Sequence, residues 1–217
     1  MTVHFRHLRL RAVTSDGTYG TDLSFRGGLN ILSAGNTTGK STCLQALLYA
    51  LGLERMLSPR REIPLAYVMR EHVGVGEQAR GPSVIESYVS VELQNFEGEI
   101  LTVRRHVKGG PDWRLVSTWK RHVITDPSST GEQRDFFVRD PGAARREAGF
   151  HLFLTRFLGW QLPEVPTYDG DLVPLYMETI FPLLFVEQKA GWSAIQGSLP
   201  YVSKNSRRWP TCHRIPP

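Results

Sequence analysis

The chain has 217 residues, 41% hydrophobic and 22% charged, an ordinary globular balance long enough to bury a core without covalent staples. Its two cysteines, Cys43 and Cys212, are too few for a disulfide framework or a structural zinc site, and no apolar run is long enough to span a bilayer. A net charge of +5 fits a solvated surface or an anionic partner such as nucleic acid.

Residues 3–13 (VHFRHLRLRAV) alternate in part and predict a strand. Residues 15–20 carry turn chemistry, 21–25 read as a short second strand, and Gly27-Gly28 makes another turn. Leu29 to Ser33 predicts a short buried strand that enters a glycine-containing loop. After the loop, Leu44, Leu47, Leu48 and Leu51 recur at helical spacing, so Thr42 to Leu53 predicts a helix with one buried face, stopped at Gly52. Cys43 falls inside this pattern and is expected to be buried and inert, which fits a reducing cytoplasm.

Residues 54–82 are irregular, with Pro59, Pro64 and Pro82. VIESYVSVEL (84–93) alternates, Asn95 to Gly98 turns the chain, and 99–107 and 113–119 continue an antiparallel meander. Residues 126–143 are polar and rich in turn formers. Residues 144–160 predict a helix whose Phe150, Phe153, Leu154, Phe157 and Leu158 form a core stripe. Pro163 and Pro166 end it, and 171–187 is strongly apolar.

The loop Ala34-Gly35-Asn36-Thr37-Thr38-Gly39-Lys40-Ser41 matches the phosphate-loop motif, with Ala34 at the first glycine position. In that motif backbone N–H groups and the positive end of the following helix hold phosphates. Gly39 lets the backbone approach the phosphates, Lys40 supplies a flexible point charge, and Ser41 offers a hard oxygen to Mg²⁺. The candidate nucleotide-binding residues are therefore Ala34 through Ser41 together with Thr42.

The string GGLNILSAGNTTGKSTCLQALLYALGL resembles the N-terminal lobe of an SMC-type ATPase head, a family that includes chromosome-structure proteins, double-strand-break repair ATPases and SMC-like proteins of bacterial anti-phage systems. Asn36 matches the family asparagine, while Thr37-Thr38 replaces Gly-Ser. The alternating block at 84–107 is similar to the family's antiparallel β-layer, and FVEQKAGWSAIQ (185–196) looks most like the defence-system subunits. The resemblance implies an α/β P-loop NTPase fold of ABC/SMC head type: a mixed sheet around the phosphate loop, an antiparallel β-layer, a lobe over residues 1–200, and a basic, proline-containing tail at 201–217 expected to be disordered or truncation-derived. It implies ATP and Mg²⁺ as cofactors, with Ser41 and Gln188 as the metal contacts and Gln188 as the γ-phosphate sensor.

Three departures limit the resemblance. The first turn, Val13-Thr14-Ser15-Asp16, lacks the family's nucleotide-contacting pattern, leaving Thr18 and Tyr19 as candidates for the base contact. No coiled coil follows Gln188. No signature Ser-Gly-Gly segment, Walker B Asp-Glu pair or switch histidine is present. The expected partners are a C-terminal lobe, a second head, and DNA held by basic clusters at Arg104, Arg105, His106 and Lys108, at Arg60-Arg61 and at Arg145-Arg146. The competing readings are a stand-alone P-loop enzyme such as a small-molecule kinase, and an interaction module with a vestigial loop.

Overall fold

The computed structural model describes residues 3–36, 38–56, 65–74, 81–128, 131–138, 149–166, 170–181 and 184–185. The chain divides into two compact units, Met1–Glu54 with Glu62–Trp160, and Arg55–Arg61 with Gln161–Pro217.

The first unit is built on a six-stranded, wholly antiparallel sheet: β1 (His4–Thr14), β2 (Thr18–Ser24), β3 (Val84–Gln94), β4 (Ile100–Lys108), β5 (Leu115–Trp119) and β6 (Gln133–Phe137), in the order β2-β1-β3-β4-β5-β6. Alternation divides the sheet into two chemistries. One face carries Leu8, Leu10, Val89, Val91, Leu101 and Val103, all buried. On the other, the register aligns His7–Glu92–Thr102–Trp119, Arg9–Ser90–Arg104–Ser117 and Arg11–Tyr88–His106. Register shifts at Val13/Thr14 and Ser87/Tyr88 reverse the alternation at the start of β3. Val84 is therefore buried while Ile85 is exposed.

Helix α1 (Lys40–Ala50) packs on β1, β3 and β4. Its buried residues are Cys43, Ala46, Leu48, Tyr49 and Ala50. The expected leucine stripe is thus only half right. Leu44 is exposed, and the small Ala46 and Ala50 take the positions closest to the core. The helix ends at Gly52, whose φ of 71° no β-carbon residue adopts easily. Gly52 N–H donates to Tyr49 C=O (3.0 Å) and Leu53 N–H to Leu48 C=O (2.9 Å), which closes a Schellman motif. A Cβ on Gly52 would also come within 2.6 Å of Val138.

Helix α2 (Tyr67–Arg70) covers β3 and β4, anchored where the Ser87 hydroxyl donates to Met69 C=O. Helix α3 (Phe150–Phe157) buries Phe150, Leu154 and Phe157 as expected, and Phe153 stacks on Phe136 at 4.2 Å between ring centres. Asn95 ties this helix to the β3–β4 turn. Its Nδ2 donates to Phe157 C=O (3.0 Å), while its Oδ1 accepts from the N–H groups of Glu97 and Glu99. In the second unit, β7 (Glu164–Pro166) pairs with β8 (Leu172–Pro174), and α4 (Met177–Ile180) follows. The apolar run 171–187 is thus a short strand and a helical turn over its described part. Among the described residues no helix is long and apolar enough to cross a membrane.

The deepest polar feature is Arg105, which is fully buried. Its Nη1 and Nη2 each donate to a Glu54 carboxylate oxygen at 2.8 Å, Nη1 also to Tyr49 C=O (2.7 Å), and Nε to Trp113 C=O (2.9 Å). The guanidinium lies 4.2 Å from the centre of the Tyr49 ring, and the Tyr49 hydroxyl donates to His106 C=O at 2.6 Å. Removing either partner would strand a buried charge, at a cost of about 3–5 kcal/mol. Glu54→Ala is expected to lower unfolding stability by that amount in chemical denaturation, and a loss below about 1 kcal/mol would contradict the assignment. Joint replacement of Arg105 and Glu54 by methionine is expected to recover most of the loss.

Candidate functional site

The segment leading to the candidate phosphate loop is not a strand. Residues 29–35 carry no strand pairing, and Leu29 and Ile31 are 87% and 80% exposed. The local reason is Asn30. Its Nδ2 donates to the carbonyls of Arg26 (2.9 Å) and Gly28 (3.1 Å), and its Oδ1 accepts from Arg26 N–H (2.9 Å). A side chain that bonds its own backbone in this way holds a turn, not a ladder. The expected strand at 29–33 and the mixed sheet around the loop are corrected: among the described residues the sheet is antiparallel, and the loop is reached by chain outside it. Beside this segment, Leu8, Leu23, Phe25, Ile31, Leu44 and Leu47 line an apolar cavity of about 200 Å³.

The loop itself closes on its lysine. Lys40 Nζ donates to the carbonyl of Ala34 at 2.7 Å and to that of Gly35. The Thr38 hydroxyl donates to Gly35 C=O at 2.8 Å. Gly39 precedes the helix with φ 90° and ψ 11°, in the left-handed region, and nothing lies within 4 Å of where its Cβ would be. The glycine is thus required by conformation, not by space. Asn36 and Ser41 are exposed, and Thr42 is half-buried. Thr37 and Gln188 lie outside the described residues, so neither the continuous loop nor the sensor contact is described.

The start of α1 departs from ordinary helix chemistry. No side chain caps it, and no acidic residue occupies its first turn. The first N–H groups of a helix lack intrahelical acceptors, and the dipole there favours negative charge. Here the first helical residue is instead a cation, Lys40, which has no carboxylate partner among the described residues. A positive side chain at the positive end of an uncapped helix is locally unfavourable, and a polyphosphate would satisfy both. Cys43, one turn on, is buried, and burial pushes its thiol pKa up.

The other candidates are dispersed. Tyr19 donates to Asp16 (3.1 Å) at the turn end of β2, while β2 meets α1 through Leu23 and its neighbours. Tyr19 lies four residues along the strand from Leu23, about 13 Å. Of the basic cluster on β4, Arg105 points into the core and is spent on Glu54. It is withdrawn from any surface role. Its parity with Leu101, Val103 and Val107 was a readable signal for that. Arg104 and His106 face the polar side, and Lys108 is exposed. Arg60, Arg61, Arg145 and Arg146 lie outside the described residues, as does the tail 201–217.

Sequence reasoning missed two carboxylates that organise this unit. Glu54 is one. Glu92, fully buried on β3, is the other. It accepts from Ile124 N–H (2.7 Å) and Thr125 N–H (3.3 Å) and lies 3.2 Å from His122 Nδ1. It thereby folds residues 120–125 over one end of the polar face. No group of three or more metal-ligating His, Cys, Asp or Glu side chains occurs among the described residues. Comparison with family models, with curated proteins and with solved structures finds no match for this chain.

Proposed function

We propose that this chain is the ATP-binding N-terminal half of an SMC-like ATPase that acts on DNA. The observation that carries the reading is the loop before α1: a left-handed Gly39, an uncapped helix start, and Lys40 folded onto the carbonyls of Ala34 and Gly35.

On this reading the nucleotide phosphates take the place of those two carbonyls at Lys40, and the free N–H groups of the first turn donate to them. The exposed Ser41 hydroxyl is a single hard oxygen that would hold Mg²⁺, and the ion would offset the negative charge of the phosphates. Gln188 would complete the metal shell. Hydrolysis also needs a carboxylate to polarise water. On this reading that group comes from a C-terminal lobe and an apposed second head. A stand-alone kinase is disfavoured, because such enzymes commonly carry a parallel sheet and the described sheet is antiparallel throughout.

ATP titration by calorimetry is expected to give saturable, Mg²⁺-dependent binding, weakened about tenfold or more by Lys40→Ala, equivalent to about 1.4 kcal/mol. Equal affinity in the variant sinks the phosphate-loop reading, and no binding at all favours a vestigial loop. Phosphate release by the chain alone is expected at background, and robust turnover abolished by Lys40→Ala would overturn the half-site idea. DNA binding, measured with the C-terminal lobe present, is expected to ignore sequence and to weaken steeply between about 50 and 200 mM salt. Salt-independent affinity would count against it.

A further inference from the structure

Arg104 stands out on the polar face of the sheet. Its guanidinium lies 4.7 Å from the centre of the Tyr88 ring and 5.4 Å from that of Trp119, clamped between two aromatic side chains. Nε donates to the Ser90 hydroxyl at 3.0 Å. The side chain is half-buried, and burial lowers its pKa, although arginine stays cationic at any physiological pH. A desolvated guanidinium normally has a carboxylate beside it. Arg104 has none within ion-pair distance among the described residues.

The nearby acids are committed elsewhere. Glu86 lies 3.1 Å from His106 Nε2. Glu92, diagonal to Arg104 in the register, turns its oxygens to Ile124, Thr125 and His122. Asp22 and Asp135 end the same row of the sheet, three and two strands away, about 14 and 10 Å at ordinary strand spacing. Asp22 is moreover shared by Arg9 (2.7 Å) and Arg11 (2.6 Å), so one carboxylate offsets two cations.

With Nε used and two aromatic rings beside the guanidinium, the part of Arg104 left for a ligand is the edge formed by Nη1 and Nη2. That edge is a planar pair of donors, the geometry that meets two oxygens of one anion. Each further negative charge on the anion adds Coulomb attraction to the guanidinium, which favours a dianion over a single carboxylate. We propose that the Nη edge of Arg104 is a binding site for a phosphate-class oxyanion. The site is separate from the phosphate loop and does not depend on that loop holding a nucleotide.

The test uses the full chain carrying Lys40→Ala, which removes the lysine of the loop. Arginine Nε–H resonances are followed by NMR as inorganic phosphate is added at constant ionic strength, with acetate and a dinucleoside phosphodiester in parallel. Phosphate is expected to shift the Arg104 signal saturably, with acetate weaker by about tenfold. Arg104→Lys keeps the charge but loses the fork, and is expected to lose the accompanying shift of the Trp119 indole N–H. The singly charged diester is expected to shift the Arg104 signal less than phosphate, and a stronger response to the diester would overturn the preference for a dianion. Equal, non-saturating shifts at Arg9, Arg11 and Arg104 would reduce the effect to screening and overturn the proposal. An undiminished Trp119 response in Arg104→Lys, or acetate matching phosphate, would do the same.

Discussion

A buried guanidinium holds the end of the loop-bearing helix to the sheet. Arg105 reaches from the middle of β4 to Glu54, just past the end of α1, and to the Tyr49 carbonyl inside it. Both charges are out of water, so neither can move without stranding the other. The same arginine holds Trp113, at the entry to β5, by its carbonyl. One side chain thus fixes the far end of α1, the central strand and the next turn. The near end of α1 carries Lys40, and its place over the sheet follows from where the far end is pinned.

The rest of the first unit uses polar side chains in the same manner, as internal fasteners between pieces distant in sequence. Glu92 gathers residues 122–125, the Thr102 hydroxyl donates to Arg121 C=O and accepts from Val123 N–H, Ser87 holds α2, and Asn95 holds α3. Glu92, Thr102, Ser87 and Asn95 each bond backbone groups of the piece they hold. This is why β3 can bury both of its faces at mid-strand although only one is apolar. The polar face nevertheless keeps Arg104 half-exposed, with no carboxylate within ion-pair distance among the described residues.

Much of the sheet was legible from alternation. The strands at 84–94 and 100–108 and the turn between them fall within a residue or two of expectation, because period-2 patterning and the Asn95–Gly98 turn point the same way. β6 was missed because Gln133-Arg134-Asp135 is polar, which an edge strand tolerates and periodicity does not flag. The strand at 29–33 was overread: its apolar letters fit, but Asn30 gives the backbone a local alternative and no neighbour pairs with it. At the site, the left-handed glycine and the lysine after it were readable from the motif. The partner of Arg105 was not, since Glu54 sits 51 residues away in a stretch that carried no pattern. The sensing role given to Gln188 stands on resemblance alone.

Cys43 carries a practical consequence. Its thiol lies 8% exposed beneath the helix that begins at Lys40, and burial keeps it protonated and shielded. Alkylation there is slowed while α1 stays packed on the sheet. The rate at which a thiol reagent marks this position is therefore a clock for helix detachment, built into the chain and needing no added label. Because the same helix ends in the Arg105–Glu54 pair and begins in the loop, one modification rate registers a loosening that starts at either end.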